Sequence, residues 1–260
     1  MKKQKILILG HRGMLGHKVF DYFSKEKTLK VLKSDFNIYT QKKEFENYVI
    51  REKPEIAINC IGLIKPVCEK STREEIIYIN ALFPHILKKM VNEYGGKVIQ
   101  ISTDCVFDGK KGNYRVDESY SAKDLYGMSK ALGEIIDEKN LTIRTSIIGR
   151  EIGPNKKSLV EWFLQQKECN GFLNHKWNGV TTDYLAELIL DIIKNEKNLM
   201  GIQQVASITS VSKYELLCLL KKRYNLSTII NPIDAKEAID RTLIPTIPTP
   251  PIAELIEKMT

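Results

Sequence analysis

The sequence has no apolar run of about 18 residues, so no segment reads as a membrane span. It has no long proline, serine or glutamine tract and no internal repeat, which sets aside disorder and solenoid architectures. Its five cysteines (Cys60, Cys68, Cys105, Cys169, Cys218) form no C-x-x-C pair, and none lies at metal-ligand spacing from a histidine. An odd number of thiols without a zinc pattern points to a reduced, cytoplasmic protein with no metal site. The opening MKKQKILILG is too short in its apolar part for a secretory signal and reads as a first strand.

What remains is 260 residues, 43% of them hydrophobic, enough for one large core with a smaller lobe. The formal net charge is +8, with 40 Lys and Arg against 32 Asp and Glu. These cations are mostly lysines spread along the chain, which suits a solvated surface and anionic small ligands better than a nucleic-acid footprint. Neither nucleic acid nor membrane is an expected partner.

Over the first 145 residues, short apolar runs alternate with amphipathic stretches. Ile6–Leu9, Leu29–Leu32, Ile56–Cys60, Val98–Ser102 and Thr142–Arg144 read as strands. Met14–Ser24, Lys43–Glu52, Ile79–Tyr94 and Tyr126–Glu138 read as helices. That rhythm means βαβ units, so an α/β fold of Rossmann type with a doubly wound parallel sheet is expected over residues 1–150. Residues 151–260 read as a smaller C-terminal substrate-binding lobe, partly interleaved with the first. Helices are expected at Ser158–Lys167, Asp183–Lys194 and Lys213–Tyr224, and short strands near Gly171–Leu173 and Gln203–Val205. The tail Ile244–Ile252 carries four prolines, which exclude a central strand or a long helix there.

Three groups of residues carry chemistry. The first is Gly10-His11-Arg12-Gly13-Met14-Leu15-Gly16, a G-x-x-G-x-x-G loop between a buried strand and a helix. Glycine lets the backbone approach a pyrophosphate seated on the helix N-terminus, so a dinucleotide is the expected ligand. The second lies about 20 residues on, where such folds place the group that reads the adenosine ribose. Asp35 suits a ribose hydroxyl or the adenine, whereas Lys33, Ser34 and Arg12 suit a 2′-phosphate. NADPH is favoured and NAD left open. The third is Tyr126-x-x-x-Lys130, whose i, i+4 spacing puts both side chains on one helical face. A phenol titrates near about 10, and a neighbouring ammonium lowers that by roughly 1–3 units. Tyr126 can then protonate a developing alkoxide, while Thr103, at the end of the fourth strand, orients the carbonyl.

These motifs, with Asn59-Cys60-Ile61-Gly62, Ile79-Asn80, ISTDCVFDG, YGMSKALGE, Ile143-Arg144-Thr145-Ser146 and Gly179-Val180-Thr181-Thr182, span most of the chain. Together they resemble the extended short-chain dehydrogenase/reductases that act on nucleotide-linked sugars, and most of all the dTDP-4-dehydrorhamnose reductases. The resemblance implies NAD(P)H-dependent reduction of a 4-keto-6-deoxy nucleotide sugar, with Thr103, Tyr126 and Lys130 as the catalytic trio. It implies cofactor contacts from the glycine loop, Asp35, Phe36, Cys60, Ile61 and Gly62, and substrate contacts from Thr103 and Asp104.

Other readings stay open at this point. His175, in a polar loop, and Arg241, which resembles the family's late basic residue, are candidates for the sugar diphosphate. Arg144 and Arg150 are weaker ones, and Trp177 reads as a packed aromatic. The base is open among dTDP, UDP and GDP, and this chain has Ile147 where the rhamnose reductases carry Trp. The related 4,6-dehydratases carry Asp-Glu where this chain has Asp104-Cys105, which argues against dehydration. A 4-epimerase uses the same Tyr and Lys. The regulatory β subunit of methionine adenosyltransferase resembles the family as an NADP-binding module. A homodimer is a further expectation.

Overall fold

Adjacent residues of the first strand are buried in opposite directions. Ile6 and Ile8 pack with Val19, Phe23, Leu185 and Ile189, while Leu7 and Leu9 pack with Phe45, Val49, Phe83 and Leu87. A strand apolar on both faces must have helices on both sides, and that is the architecture of the computed structural model, which describes residues 3–153, 156–195 and 197–260.

In chain order, β1 (Gln4–Leu9), α1 (Gly16–Ser24), β2 (Leu29–Lys33), α2 (Lys42–Glu52) and β3 (Ile56–Asn59) come first. Then α3 (Lys65–Cys68) and α4 (Arg73–Ile77) lead through a π-helical turn at Tyr78–Leu82 into α5 (Phe83–Asn92). β4 (Lys97–Thr103), α6 (Leu125–Leu132), β5 (Leu141–Thr145) and β6 (Ile147–Ile148) follow. Beyond them are α7 (Leu159–Phe163), β7 (Glu168–Phe172), β8 (His175–Trp177), β9 (Val180–Thr181), α8 (Thr182–Lys194) and β10 (Gly201–Ser207). The chain ends with β11 (Val211–Ser212), α9 (Lys213–Arg223), β12 (Ile229–Ile233), β13 (Ile239–Asp240), β14 (Ile247–Thr249) and α10 (Ile252–Glu257).

The main sheet has seven strands in the order β14-β10-β5-β4-β3-β1-β2, every pairing parallel. It is a doubly wound, Rossmann-type sheet. Strand order reverses between β1 and β3, which opens a crevice at their carboxyl ends. β14 is the outermost strand, and Pro248 lies within it. A missing N–H costs no ladder bond on an edge, so the proline-rich tail joins the sheet at the one kind of position open to it.

Residues beyond 150 contribute in two ways. β10, β14 and α8 extend the sheet and its helical layer. The short sheets β11-β8-β13 and β12-β7, with α7, α9 and α10, surround a separate apolar cluster that includes Phe163, Trp177, Leu216, Leu220, Ile252 and Met259.

Three helices depart from the expected spans, and the one read as Ser158–Lys167 covers only Leu159–Phe163. The stretch read as Ile79–Tyr94 starts at Arg73, and its middle widens into the π turn just before Pro84. Proline has no N–H to give the carbonyl one turn back, and a π turn absorbs that break. The stretch read as Tyr126–Glu138 ends at Leu132. A methyl on the next residue, Gly133, would lie 2.0 Å from the Asn80 carbonyl oxygen, so the helix stops against the π turn.

Below the ends of β4 and β5 lies a buried ion pair. Arg144 reaches Glu134 through Nε (3.0 Å) and Nη2 (2.7 Å), with both side chains at most 1% exposed. Ser102 Oγ (2.6 Å) and the Tyr120 hydroxyl (2.8 Å) also donate to Glu134, and Arg144 Nη1 donates to Gln204 Oε1 (2.9 Å). Arg144 is therefore committed inside the fold and is no diphosphate ligand. Arg144→Met strands the Glu134 carboxylate in the core, which costs about 3–5 kcal/mol. Urea unfolding of that variant should show a loss of this size, and Arg144→Met/Glu134→Leu should recover at least half. A double variant as unstable as the single one would contradict this.

Candidate active site

The glycine loop is shaped by close backbone contact. Gly10 turns with φ +76°, a conformation rare for other residues. A methyl on Gly16 would stand 2.0 Å from the Gly10 carbonyl oxygen, and one on Gly10 would stand 3.0 Å from the Cys60 carbonyl. The Gly13 N–H donates to that same Gly10 oxygen at 2.8 Å. Leu15 is buried beneath the loop. α1 has no acidic residue in its first turn and no side-chain cap, so no side chain caps its N-terminus or repels an anion there. This cradle fits a dinucleotide pyrophosphate.

Past β2, Arg12 and Asp35 meet, with Nη2 2.6 Å from Oδ1. His11 Nε2 lies 3.3 Å from the same oxygen. Phe36 packs on Tyr48, ring centroids 5.8 Å apart. Lys33 lies over the Phe20 ring at 5.4 Å.

The segment Cys60-Ile61-Gly62 leaves β3 toward the crevice. The Ile61 N–H donates to Asn59 Oδ1 (3.1 Å), and Asn59 in turn donates to Gln100 on β4 (2.8 Å). Asn80, on the π turn, grips the segment from the other side. Its Oδ1 accepts the Leu63 N–H (2.8 Å), and its Nδ2 donates to the Leu63 carbonyl (3.0 Å) and to Ser129 Oγ on α6 (3.2 Å). One side chain thus ties this loop to the helix that carries Tyr126 and Lys130.

α6 begins at Asp124, whose carboxylate accepts the Gly127 N–H (2.8 Å). A methyl on Gly127 would lie 2.2 Å from the Cys105 carbonyl oxygen. The helix therefore starts in contact with the turn after β4, where the Thr103 hydroxyl donates to Asp104 (3.0 Å). Burial, and then Cys105, push the Tyr126 phenol well above its ordinary value, while the neighbouring Thr103 hydroxyl acts in the opposite sense. Lys130 Nζ donates to the Ile101 carbonyl (2.8 Å) and would lie 3.6 Å from a methyl placed on Gly62. Burial lowers its ammonium to about 8, against opposing pulls from Glu134 and Cys60. The sequence reading had Lys130 lowering the phenol. Here the Lys130 Nζ is bonded to the Ile101 carbonyl and is not among the groups that act on the phenol.

Three cations surround the outer part of this cleft. Lys65 pairs with Asp124 (2.8 Å). Arg241 donates to the carbonyls of Phe107 (2.9 Å) and Asp108 (3.1 Å). Lys213 lies 5.4 Å from the Trp177 ring centroid, with its pKa lowered by burial and acted on by Asp104, Cys105 and Arg241. Burial pushes the Cys105 thiol up to about 12, which makes it a poor nucleophile.

Residues 4–246 match the family described as RmlD substrate binding domain. The chain belongs to this family. Among the chain's relatives, the spore coat polysaccharide biosynthesis protein SpsK of Bacillus subtilis is 26% identical, over 92% of this chain and 86% of its own. Methionine adenosyltransferase 2 subunit beta of Xenopus tropicalis is 25% identical, over 88% of this chain and 75% of its own. A dTDP-4-dehydrorhamnose reductase of Bacillus anthracis, solved in complex with NADP, shares the fold with a TM-score of 0.85 at 21% identity, covering 99% of each chain.

In this RmlD-family chain, Thr103 and Asp104 lie near Tyr126, Arg241 acts on the adjoining Cys105, Lys130 stands beside Gly62, and Gly10 lies against Cys60. His175 faces elsewhere: its Nε2 lies 3.1 Å from the Glu237 carbonyl, and its ring packs on Phe172 at 4.7 Å. Trp177 is a packed aromatic whose Nε1 donates to Ser146 Oγ (2.9 Å). Sequence reasoning passed over Lys213, and it named Asn80 and Gly127 only within motifs, without a role. Only the glycine beside Tyr126 carried a signal, since no free helix face needs one there. Among the described residues, no group of three or more His, Cys, Asp or Glu is placed to hold a metal ion.

The lowered Lys130 value sets a pH dependence. Between about 8 and its ordinary 10.5 the unfolded chain binds this proton and the folded chain does not, so Lys130 makes stability rise with pH across that window. Lys130→Met should remove this contribution, and the stability difference between variant and wild type should shift toward the wild type from pH 8 to pH 10.5. A constant difference in urea unfolding would contradict the assignment.

Proposed function

We propose that this chain is an NAD(P)H-dependent reductase of a 4-keto-6-deoxy nucleotide sugar, like the dTDP-4-dehydrorhamnose reductases that share its family and fold. The observation that carries this reading is that Tyr126 and Thr103 come together at the end of β4, with Lys130 anchored four residues on beside Gly62. The coenzyme proposed is NADPH, with NADH as the second choice. It is supported by the glycine cradle and by Arg12, Lys33 and Asp35.

When bound, the coenzyme supplies the hydride for the sugar's C4 ketone. Thr103 turns its hydroxyl from Asp104 to donate to the ketone oxygen, and Tyr126 gives its proton to that oxygen as it becomes an alkoxide. With its pKa raised, the phenol keeps its proton until that donation. Lys130 sits where it can hold the nicotinamide ribose and, as an ammonium, stabilise the phenolate left behind. Lys65, Lys213 and Arg241 supply positive charge for the diphosphate, and Asp104 contacts the sugar. His175 supports the β8–β13 pair that leads into Arg241.

A second reading, a coenzyme-binding regulatory subunit, is supported by the likeness to methionine adenosyltransferase 2 subunit beta. A 4-epimerase is a third. The proposed setting is cytoplasmic, supported by five free cysteines. No helix among the described residues is long and apolar enough to cross a membrane. A homodimer is also proposed, through Ile77, Leu82, Met128, Leu132 and Ile136, each exposed over about half its surface or more on α4, the π turn, α6 and the segment after it.

Coenzyme oxidation with 4-keto-6-deoxy sugars linked to dTDP, UDP and GDP tests this function. Turnover is expected with one of them, and Tyr126→Phe should lose about 10²–10⁴-fold in kcat while keeping its coenzyme Kd. Near-wild-type turnover in that variant would remove Tyr126 from the mechanism. Tight coenzyme binding without oxidation of any of the three would favour the regulatory reading.

A further inference from the structure

A lysine taken out of water must meet a counter-charge or give up its proton. Lys130 is 7% exposed, and its Nζ donates to the Ile101 carbonyl at 2.8 Å. That one bond uses one of its three protons. The part proposed for Lys130, stabilising the phenolate that Tyr126 leaves behind, needs the amine charged.

The titratable groups that act on this amine come from two places. Cys60 lies on the segment after β3, and burial pushes its thiol up to about 12, so it stays neutral. Glu134 lies just past the end of α6, four residues on from Lys130, with its side chain fully buried. The Ile101 carbonyl faces the amine from β4 as a dipole, and Asn80, on the π turn, is uncharged. Arg144 on β5 and Tyr126 one turn back are not among the groups that act on it. Among the described residues, Glu134 is therefore the one charge that favours the ammonium.

The carboxylate is held in place from three elements. Arg144 Nε (3.0 Å) and Nη2 (2.7 Å), Ser102 Oγ (2.6 Å) and the Tyr120 hydroxyl (2.8 Å) donate to its two oxygens. Three consecutive residues of β4 thus serve three groups of the site. Ile101 takes the amine, Ser102 takes the carboxylate, and Thr103 stands beside the phenol. Apolar side chains of similar volume fill a core as well as a buried ion pair does, and often better. A charge kept here calls for a use beyond packing.

We propose that Glu134 is a positioning residue of the reduction, whose carboxylate keeps the Lys130 amine an ammonium in a dry site while Ser102 ties that carboxylate to the strand end bearing Thr103. Without the carboxylate, burial prevails and the amine goes neutral near neutral pH. The phenolate then forms with no cation to meet it. The inference rests on the reductase reading above and deepens it by naming what sets the charge of Lys130.

The test follows the Lys130 Nζ signal by nitrogen NMR in the full-length chain carrying isotope-labelled lysine, with the signal identified by its loss in Lys130→Met. Turnover plays no part in that titration. Glu134→Gln keeps the size of the side chain and removes its charge, and the Lys130 midpoint should move down by about one pH unit. Arg144→Met/Glu134→Leu, which leaves no charge stranded, should move it the same way and serves if Glu134→Gln does not fold. Glu134→Asp keeps the charge and should keep the midpoint. With a reducible sugar, kcat in the charge-free variants should fall about fivefold at pH 8 and stay near wild type at pH 6. A fault of packing would lower kcat alike at both. An unmoved Lys130 midpoint in the charge-free variants, or an equal loss of kcat at both pH values, would overturn the proposal. A midpoint that moves as expected in a chain that reduces none of the sugars would support the part played by Glu134 and overturn the reductase reading.

Discussion

α6 can lie in only one place, and the rest of the site follows from that. At its start, Gly127 meets the Cys105 carbonyl with no room for a methyl group, and just past its end Gly133 meets the Asn80 carbonyl in the same way. Between these contacts, Ser129 is held by Asn80 and Lys130 by the Ile101 carbonyl. A helix fixed at both ends by backbone contact cannot slide by a turn or rotate by a residue. Tyr126 is thereby kept facing Thr103, and Lys130 is kept beside Gly62.

The same economy holds the other half of the cleft. Gly10 and Gly16 bring the start of α1 against the ends of β1 and β3, at the point where the strand order reverses. Asn80 joins the two halves, since it binds both the loop after β3 and α6. The Glu134 and Arg144 network lies directly beneath, bonded to Ser102 one residue before Thr103. Polar groups that are fully satisfied in a dry interior cost little to keep and much to break, so this network stiffens the floor under the proposed reacting groups.

Much of this was legible in the sequence. Short continuous apolar runs marked the five strands of the first half, and the glycine loop and Y-x-x-x-K pair were visible as motifs. The end of α6 was not legible, because Gly133 acts through Asn80, some 50 positions earlier, and helix periodicity sees only neighbours. Lys213 looked like one more surface lysine. Its place beside Trp177, Asp104 and Arg241 comes from packing α9 against β8 and β11, which no local pattern encodes. Arg144 shows the reverse error: a basic residue in a family motif suggested a ligand contact, and the fold uses it as the partner of a buried glutamate. The proline-rich tail was read by exclusion, and the one strand it forms lies at the edge of the sheet.

The central claim is that this cleft moves a hydride to a sugar ketone while Tyr126 supplies the proton. The most direct measurement gives the chain a coenzyme deuterated at its transferring nicotinamide position, together with a 4-keto-6-deoxy nucleotide sugar, and weighs the product. The account calls for one deuterium on the sugar at C4, with stoichiometric oxidation of the coenzyme. A sugar that changes configuration without a net gain of deuterium and hydrogen, or one that is returned unchanged beside firmly bound coenzyme, would contradict it.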